Sequence, residues 1–381
     1  MISHAVGEST RALAERVLAA RAAGTPLRIT GAGHWLNAGR PCRASQPLDL
    51  AGHAGIVEYE PGDLTLTARA GTSLDTIARV TRAERQWLPL DPMGPAGGTI
   101  GATIATASAG PLASAFGTSR DHLLGCELVT GTGDVVRAGG RVVKNVAGFD
   151  LVRLSAGAWG TLGVITEVSV RLRALPEVDR TLAVDAVASH AWRWLRASEY
   201  TPLAAELVSP ALAAALGVGP GATLLLRLGG NEALVRAASE SALALGPSRD
   251  AAGSVWDAFA AGDPSDAVVI RLSTAPSRVA ALWERAAAIV ERAQGAAHAS
   301  LQRGVVRCIL PIRGAGEEEQ ARLRGIVIAL QLLATSVLER LPAPLWPALV
   351  PATAADRLSL GVRNAFDPDR LFNPGILGEL A

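Results

Sequence analysis

Apolar positions recur at helical spacing along STRALAERVLAARAAG, residues 9–24, where Ser/Thr cap candidates open the run and Gly24 closes it, so one helix is predicted there. PLRIT (26–30) reads as a short apolar strand, and the glycines of the following GAGHWLNAGR let the backbone turn tightly. In GIVEYEPGDLTLTARAG (55–71) alternation on either side of Pro61, Gly62 and Asp63 predicts two strands about a turn. SLDTIARVTRAER (73–85) returns to helical periodicity behind a Ser cap. From 89 to 131 both patterns break: Gly, Ala, Ser and Thr dominate, as where backbone packs against something other than side chains. CELVTGTGDVVRAGGRVV then reads as a hairpin turning at 131–134, and WGTLGVITEVSVRLRALPE as a strand ended by proline, with a domain boundary near 175–177.

Beyond the boundary, strand and helix patterns alternate to about residue 345: TLAVDAV, a helix near 188–198, ATLLLRLG, a helix at 231–245, AVVIRLST, a helix at 277–294, then GVVRCILP. This predicts a separate α+β domain. The longest apolar run, IVIALQLLATSVL (326–338), contains Gln331, Thr335 and Ser336 and falls short of the roughly 20 residues that span a bilayer; it is expected to be a buried helix. In RNAFDPDRLFNPGILGEL (363–380), Pro368, Pro374 and Gly375 exclude a long helix.

Composition narrows the function classes. With 381 residues, 49% of them hydrophobic, the chain can bury sizeable cores. Its 36 basic and 35 acidic residues leave a net charge of +1, and the only block of like charge is the short GEEEQ at 316–320, which argues against a nucleic-acid partner. The first residues lack the order of a signal peptide, so export is not expected. Cys42, Cys126 and Cys308 are odd in number and far apart. They predict neither a disulfide framework nor a metal site, and a reducing cytoplasm fits them best. Arginine outnumbers lysine so heavily that Lys144, in GRVVKNVAGFDLVRL, is the single lysine of the chain.

Two glycine-rich stretches carry candidate chemistry. GAGHWLNAG (31–39) offers the G-x-G of a dinucleotide fingerprint, but a Rossmann unit needs a helix at once, and Asn37, Gly39 and Pro41 argue against one. The loop is either a cradle whose free N–H groups wrap a pyrophosphate or a plain turn between strands. In GGTIGATIATASAG (97–110), Gly97, Gly98 and Gly101 remove side chains while Thr99 and Thr103 add hydroxyls. A long phosphate-bearing cofactor can lie along such a backbone; the alternative is a tightly packed Gly/Ala segment.

With KNVAGFDLVRLSAGAWGTLGVITEV (144–168), these blocks resemble the flavin enzymes of the vanillyl-alcohol oxidase type, the PCMH-type FAD-binding fold. The Gly loop, G-G-T-I-G, K-N-V-A-G-F-D-L and G-T-L-G-V-I-T-E stand in that order. Within that family, AGP, FGTSRDHLLG, GGRVVKNVAGFDL and the terminal FNPG resemble the second FAD-binding (E) subunits of bacterial glycolate oxidases. The likeness spans roughly 25–175, reappears at 366–375 and is faint between.

The resemblance implies an α+β chain with a two-subdomain FAD-binding PCMH-type domain at 1–176 (subdomains about 1–90 and 91–176). An α+β cap domain would follow at 177–350, and a C-terminal segment at 351–381 would pack back on the FAD domain. It implies that Gly31, Ala32, Gly33, His34 and Trp35 form the first pyrophosphate loop, and that Pro92, Gly98, Thr99, Ile100, Gly101 and Ala102 line the second side. Gly117, Ser119, Arg120 and Asp121 would approach the flavin or its ribityl chain. Gly160, Thr161, Gly163, Val164 and Ile165 would offer backbone groups to the rest of the cofactor, and Lys144 and Asn145 would lie at its inner face, within reach of Asp150 or the flavin.

Three departures shape the expected function. His34 stands where covalently flavinylated relatives carry histidine, but its spacing to Gly39 matches the noncovalent subunit, so noncovalent FAD is expected. The His-rich stretch with G-D-G-N of the catalytic subunits has no counterpart; His190 and His298 are isolated and read as solvated or core residues. Ile376 replaces the Arg or Lys that usually follows FNPG. Oxidation of a 2-hydroxy acid needs a base, a cation for the carboxylate and a flavin held face-on, and the motifs supply only the third.

The resemblance therefore implies a subunit that relays electrons from glycolate or D-lactate oxidation, beside a catalytic flavoprotein subunit and an iron–sulfur subunit. It would be cytoplasmic, reaching the inner face of the membrane through partners alone, with no catalytic residue assigned. The alternatives are a self-sufficient 2-hydroxyacid dehydrogenase using Arg271, Arg307 or Arg313, and a degenerate structural partner.

Overall fold

A computed structural model describes residues 8–44, 46–140, 150–264, 266–350 and 357–378. They fall into two compact units, the first drawn from the described residues of Met1–Ala109, Gly117–Leu175 and Ala352–Ala381, the second from those of Gly110–Phe116 and Pro176–Pro351. The sequence reading put residues 110–116 in the first domain. They belong with the second unit because Ser114 Oγ hydrogen-bonds Ser300 Oγ (3.1 Å) and Arg303 donates to the Gly110 carbonyl (3.3 Å).

In the first unit the strands are β1 (Leu27–Thr30), β2 (Gln46–Asp49), β3 (Ile56–Glu60), β4 (Thr65–Arg69), β5 (Gln86–Trp87), β6 (Leu123–Val129), β7 (Val135–Gly139), β8 (Val164–Arg171) and β9 (Arg173–Ala174). β1 and β2 pair in parallel, β5 pairs with β9, and an antiparallel sheet runs β3-β4-β8-β6-β7. Alternate residues of its central strands, including Leu66, Ala68, Leu128, Val168 and Val170, enter one core with Val17 of the helix Glu8–Ala22 and Ile77 of the helix Leu74–Arg82. The end of the chain completes this core. Leu27 N–H donates to Leu371 O (2.7 Å), Asn373 N–H donates to Leu27 O (2.9 Å), and Phe372 is fully buried between them. Asp367, just beyond the helix Arg357–Phe366, shapes the approach by accepting from the N–H groups of Leu371 (2.8 Å) and Phe372 (3.0 Å).

The second unit contains β10 (Val178–Asp185), β11 (Ala204–Val208), β12 (Thr223–Gly230), β13 (Ser248–Ala251), β14 (Val268–Ser273), β15 (Ala296–Ser300), β16 (Val305–Leu310) and β17 (Thr335–Arg340). They form one antiparallel sheet in the order β13-β10-β12-β11-β15-β16-β14-β17. Period-two alternation sends Leu182, Leu207, Leu226, Ile270, Val306 and Cys308 to a face packed under the helices Ala188–Ala197, Glu232–Ala242, Val279–Arg292 and Glu317–Gln331. Thr181, Glu206, Arg227, Arg271, His298 and Arg307 occupy the opposite face.

The apolar run at 326–338 is not one buried helix. Its helix ends at Gln331, Leu332 is 80% exposed, and Thr335 to Leu338 pair with β14 as an edge strand. The β-branched Thr335 and Val337 suit that half-covered position.

Candidate cofactor site

Loop 31–40 leaves β1 with no helix behind it. Two turns shape it, Leu36 N–H to Gly33 O (3.3 Å) and Ala38 N–H to Trp35 O (3.2 Å), with Gly33 at φ +81°. The N–H groups of Gly31, Ala32, Gly33, His34 and Trp35 have no acceptor among the described residues. Five neighbouring donors are thus left for a ligand. The ring of Trp35 stands edge-on to Trp159, with centroids 6.1 Å apart.

Thr99 caps the helix Ile100–Thr106, and the bonds around it divide this segment in two. Ile100 N–H goes to Thr72 O (2.9 Å), Gly101 N–H to Ala70 O (2.9 Å) and Ala102 N–H to Thr99 Oγ1 (3.4 Å). Those three donors are spent on the protein. Ile100 is a fully buried core residue, and a Cβ on Gly101 would come within 2.6 Å of Ala70 Cβ, so this glycine serves helix-to-strand packing. The N–H groups of Gly97, Gly98 and Thr99 are the unspent ones among the described residues here. Thr99 Oγ1 occupies the space where a Cβ on Gly31 would sit, and among the described residues beyond its chain neighbours His34 Nδ1 is the one atom within 4 Å of a Cβ built on Gly98, at 3.8 Å. The two rows of free donors therefore belong to one cradle. Half-buried Pro92 precedes Met93, whose N–H is held by Ser108 Oγ (3.1 Å).

At 117–122 the residues separate by role. Asp121 is exposed and folds back on its own turn, its carboxylate accepting from Thr118 N–H (2.7 Å) and Thr118 Oγ1 (3.1 Å) while filling the side-chain space of Gly117, which sits at φ +85°. Asp121 is thereby a capping residue, and Arg120 is exposed. Ser119 is completely buried, and its Oγ has no hydrogen-bond partner among the described residues. A buried hydroxyl left unpaired is a group that a ligand atom or a water would satisfy.

The 157–163 loop docks on the helix Ile100–Thr106 through Gly157 N–H to Ile104 O (3.0 Å) and Trp159 N–H to Ala105 O (2.8 Å). Thr161 closes its own turn, donating from N (2.9 Å) and Oγ1 (2.7 Å) to Ala158 O. A Cβ on Gly163 would meet Leu128 Cδ1 and Val129 O at 2.8 Å, and Val164 and Ile165 are buried strand residues paired with Val129 and Leu128. These three positions build the sheet under the loop; Gly160, at φ +67°, lies in the loop itself.

Asn373 binds the loop to β1, accepting from Ile29 N–H (3.0 Å) and donating to Trp159 O (2.7 Å). The FNPG motif was the signal for it, but the motif alone did not say which residue carries the contact. Lys144 and Asn145 lie outside the described residues. Asp150 caps the helix Leu151–Ser155, accepting from Arg153 N–H (3.0 Å).

Glycine-lined backbone donors of this kind suit a pyrophosphate. Residues 5–139 match the FAD binding domain family. This chain carries an FAD-binding domain. Its sequence is 42% identical over 176 residues to glycolate oxidase subunit GlcE of Escherichia coli (strain K12), covering 45% of this chain and 49% of that protein. It is 38% identical over 127 residues to glycolate oxidase subunit GlcD of Bacillus subtilis (strain 168), covering 33% of this chain and 27% of that one. It is 47% identical over 91 residues to the mitochondrial D-lactate dehydrogenase [cytochrome] of Arabidopsis thaliana, covering 24% and 16%. The matched region thus spans about half the length of these relatives or less.

Among solved structures, 4-ethylphenol oxidase from Gulosibacter chungangensis shares the fold with a TM-score of 0.70 at 16% identity, over 97% of this chain and 87% of that one. An alkyldihydroxyacetonephosphate synthase does so with a TM-score of 0.67 at 16% identity, over 95% and 74%. The chain therefore shares its fold with these two enzymes.

The arginines considered for a substrate carboxylate are engaged elsewhere. Arg307 is 4% exposed and bonded to both Asp263 and Glu339 (Nε to Glu339 Oε2, 2.7 Å). Burial opposes its charge, but Glu339 and Asp263 outweigh burial and raise its pKa above the ordinary value. Arg271 donates to Glu339 (3.0 Å), and Arg313 to Ala293 O (2.9 Å) and Gln294 Oε1 (2.8 Å). These contacts make Arg271 and Arg307 members of an internal ion-pair network and Arg313 a tie between loops. Among the described residues no helix is long and apolar enough to cross a membrane, and no group of three His, Cys, Asp or Glu side chains could hold a metal.

Proposed function

We propose that the chain is the FAD-binding component of a 2-hydroxyacid dehydrogenase of the glycolate oxidase type, taking part in glycolate or D-lactate oxidation beside a second flavoprotein subunit and an iron–sulfur subunit. The observation that carries this reading is the pair of unspent donor rows at 31–35 and 97–99, joined through Gly31 and Thr99, inside a region 42% identical to a glycolate oxidase subunit. When bound, FAD supplies the two-electron acceptor.

The chain's own residues do the holding. N–H groups of Gly31, Ala32, Gly33, His34, Trp35, Gly98 and Thr99 offset the pyrophosphate charge. Ser119 Oγ offers a hydroxyl, and Pro92 and the 117–121 turn close one side. Ile100, Gly101, Ala102, Gly163, Val164 and Ile165 support this cradle from the core, while Gly160 and Thr161 shape its third wall. His34 makes a polar, noncovalent contact, so the FAD is exchangeable. The domain limits that accompany the reading are 1–176 without residues 110–116 for FAD binding, 177–350 with 110–116 for the cap, and 351–381 for the returning segment. Membrane association, where it occurs, comes through the partners.

Acid precipitation of the yellow protein tests the cofactor: a colourless pellet and FAD in the supernatant are expected, and a protein that neither carries nor takes up FAD refutes the reading. Co-expression with a glycolate oxidase flavoprotein subunit and a Cys-rich iron–sulfur subunit tests the assembly. Glycolate-dependent dye reduction is expected only from the co-purified complex. Partners that fail to co-purify would remove the assembly part.

A further inference from the structure

The polar face of the eight-stranded sheet holds a histidine for which the FAD-binding domain has no use. Glu206 is the register partner of Ser300, and His298 that of Arg307, so strand alternation sets these four side chains on one face. His298 Nδ1 lies 3.0 Å from Glu206 Oε2, and the two residues are 7% and 1% exposed. Ser114 bonds Ser300 on one side, and the Phe259 ring stands nearly edge-on to the imidazole, with centroids 4.6 Å apart. Arg307 is taken up by Asp263 and Glu339. The second ring nitrogen, His298 Nε2, is buried and has no partner among the described residues.

A buried nitrogen without a partner costs about 1–3 kcal/mol, and the Glu206 bond stops this ring from turning to find one. With Glu206 Oε2 3.0 Å from Nδ1, a neutral imidazole would donate its one hydrogen there and keep the lone pair on Nε2, the arrangement that a carboxylate behind a histidine produces in hydrolases. Such a lone pair accepts a hydroxyl hydrogen. A metal role lacks the further ligands it needs among the described residues.

We propose that Glu206 and His298 form a binding site for the hydroxyl group of a small hydroxy compound, which donates its hydrogen to His298 Nε2 while Glu206 acts as the positioning residue. Identifying the compound as a 2-hydroxy acid rests on the function proposed above. The second unit then contacts substrate itself, and substrate contact is not left wholly to a partner subunit.

The test uses the full-length, FAD-loaded chain with 15N-labelled histidines, held anaerobically, the His298 resonances being assigned by their loss in His298→Gln. Glycolate and D-lactate are titrated in, with acetate as the probe lacking the hydroxyl, and the flavin absorbance is followed in the same samples. The expected result is a saturable shift of His298 Nε2 with a hydroxy acid, at least tenfold weaker with acetate, and at least tenfold weaker hydroxy-acid binding in Glu206→Gln. An Nε2 signal that neither hydroxy acid moves, or that acetate moves equally, overturns the site. The flavin signal is separate: a flavin that responds while His298 does not leaves the oxidoreductase reading standing and rejects the dyad alone.

Discussion

Thr99 Oγ1 fills the space that a side chain on Gly31 would need, so the two donor rows of the cradle approach each other only because residue 31 has no Cβ. Gly31→Ala should therefore cost about 1–3 kcal/mol, as overpacking does, and lower the bound FAD per chain. Thr99→Ala on its own should cost about 0.5–2 kcal/mol through loss of the helix cap. The double variant should be less damaged than the sum, because removing Oγ1 makes room for the methyl. Chemical denaturation and the flavin absorbance ratio check both; strict additivity would show that the two residues do not share the space.

Gly98 and Gly101 should behave oppositely although the motif treats them alike. A Cβ on Gly98 meets only His34 Nδ1 at 3.8 Å, whereas one on Gly101 would be pressed against Ala70 at 2.6 Å. Gly98→Ala should leave the melting temperature of the FAD-free protein within about 2 °C of wild type, a change of about 0.5 kcal/mol or less, yet weaken FAD retention. Gly101→Ala should lower the melting temperature of FAD-free protein outright. Thermal scans with and without added FAD separate the two.

Breaking the buried network in the second unit should register as stability. Arg307→Met leaves Asp263 and Glu339 without their main partner and should cost about 3–5 kcal/mol, read from urea unfolding. Retention of FAD by the folded fraction should be unchanged.

Glu319 accepts from Arg322 Nε and Nη2 (both 2.6 Å) and from Arg313 N–H (2.9 Å). The Arg322 hydrogen bonds, foremost, hold its pKa at about 2, below an ordinary 4.5. A folded-state pKa lowered in this way gives stability that is present above the unfolded value and lost as pH falls through the folded one. The stability gap between wild type and Glu319→Gln should accordingly be constant near neutrality and shrink between about pH 4.5 and pH 2. Denaturation midpoints measured across that range check the sign.

Asn373→Ala should uncouple the loop at 159–160 from β1, since both Ile29 N–H and Trp159 O lose their partner. The expected cost is about 1–3 kcal/mol for each group left buried and unpaired, with faster loss of FAD on dilution. Asn373→Asp keeps the acceptor for Ile29 and should recover part of the stability, which a melting series would reveal.

The sequence disclosed these features unevenly, for physical reasons. Gly33 and Gly98 could be read because backbone exposure demands glycine there, and the paired strands at 55–71 because their alternation is plain. β11 and β15 escaped notice. AAELV and AAHAS are alanine-rich and carry a buried Glu206 and His298, so they look like poor strands and form because β12 and β16 offer them partners. The division of donors at 97–102 was equally hidden, since Ile100 and Gly101 are satisfied by Thr72 and Ala70, about thirty residues earlier. His298 looked isolated for the same reason: the carboxylate that orients it is 92 residues away.

Phe372 and Asn373 are structural parts of a domain whose first strand is Leu27–Thr30. On the ribosome the N-terminal domain must therefore wait for more than three hundred residues before its first strand gains these neighbours. Loading of flavin should accordingly follow release of the finished polypeptide, and nascent chains arrested before residue 372 should emerge colourless even when every glycine of the cradle has already been made.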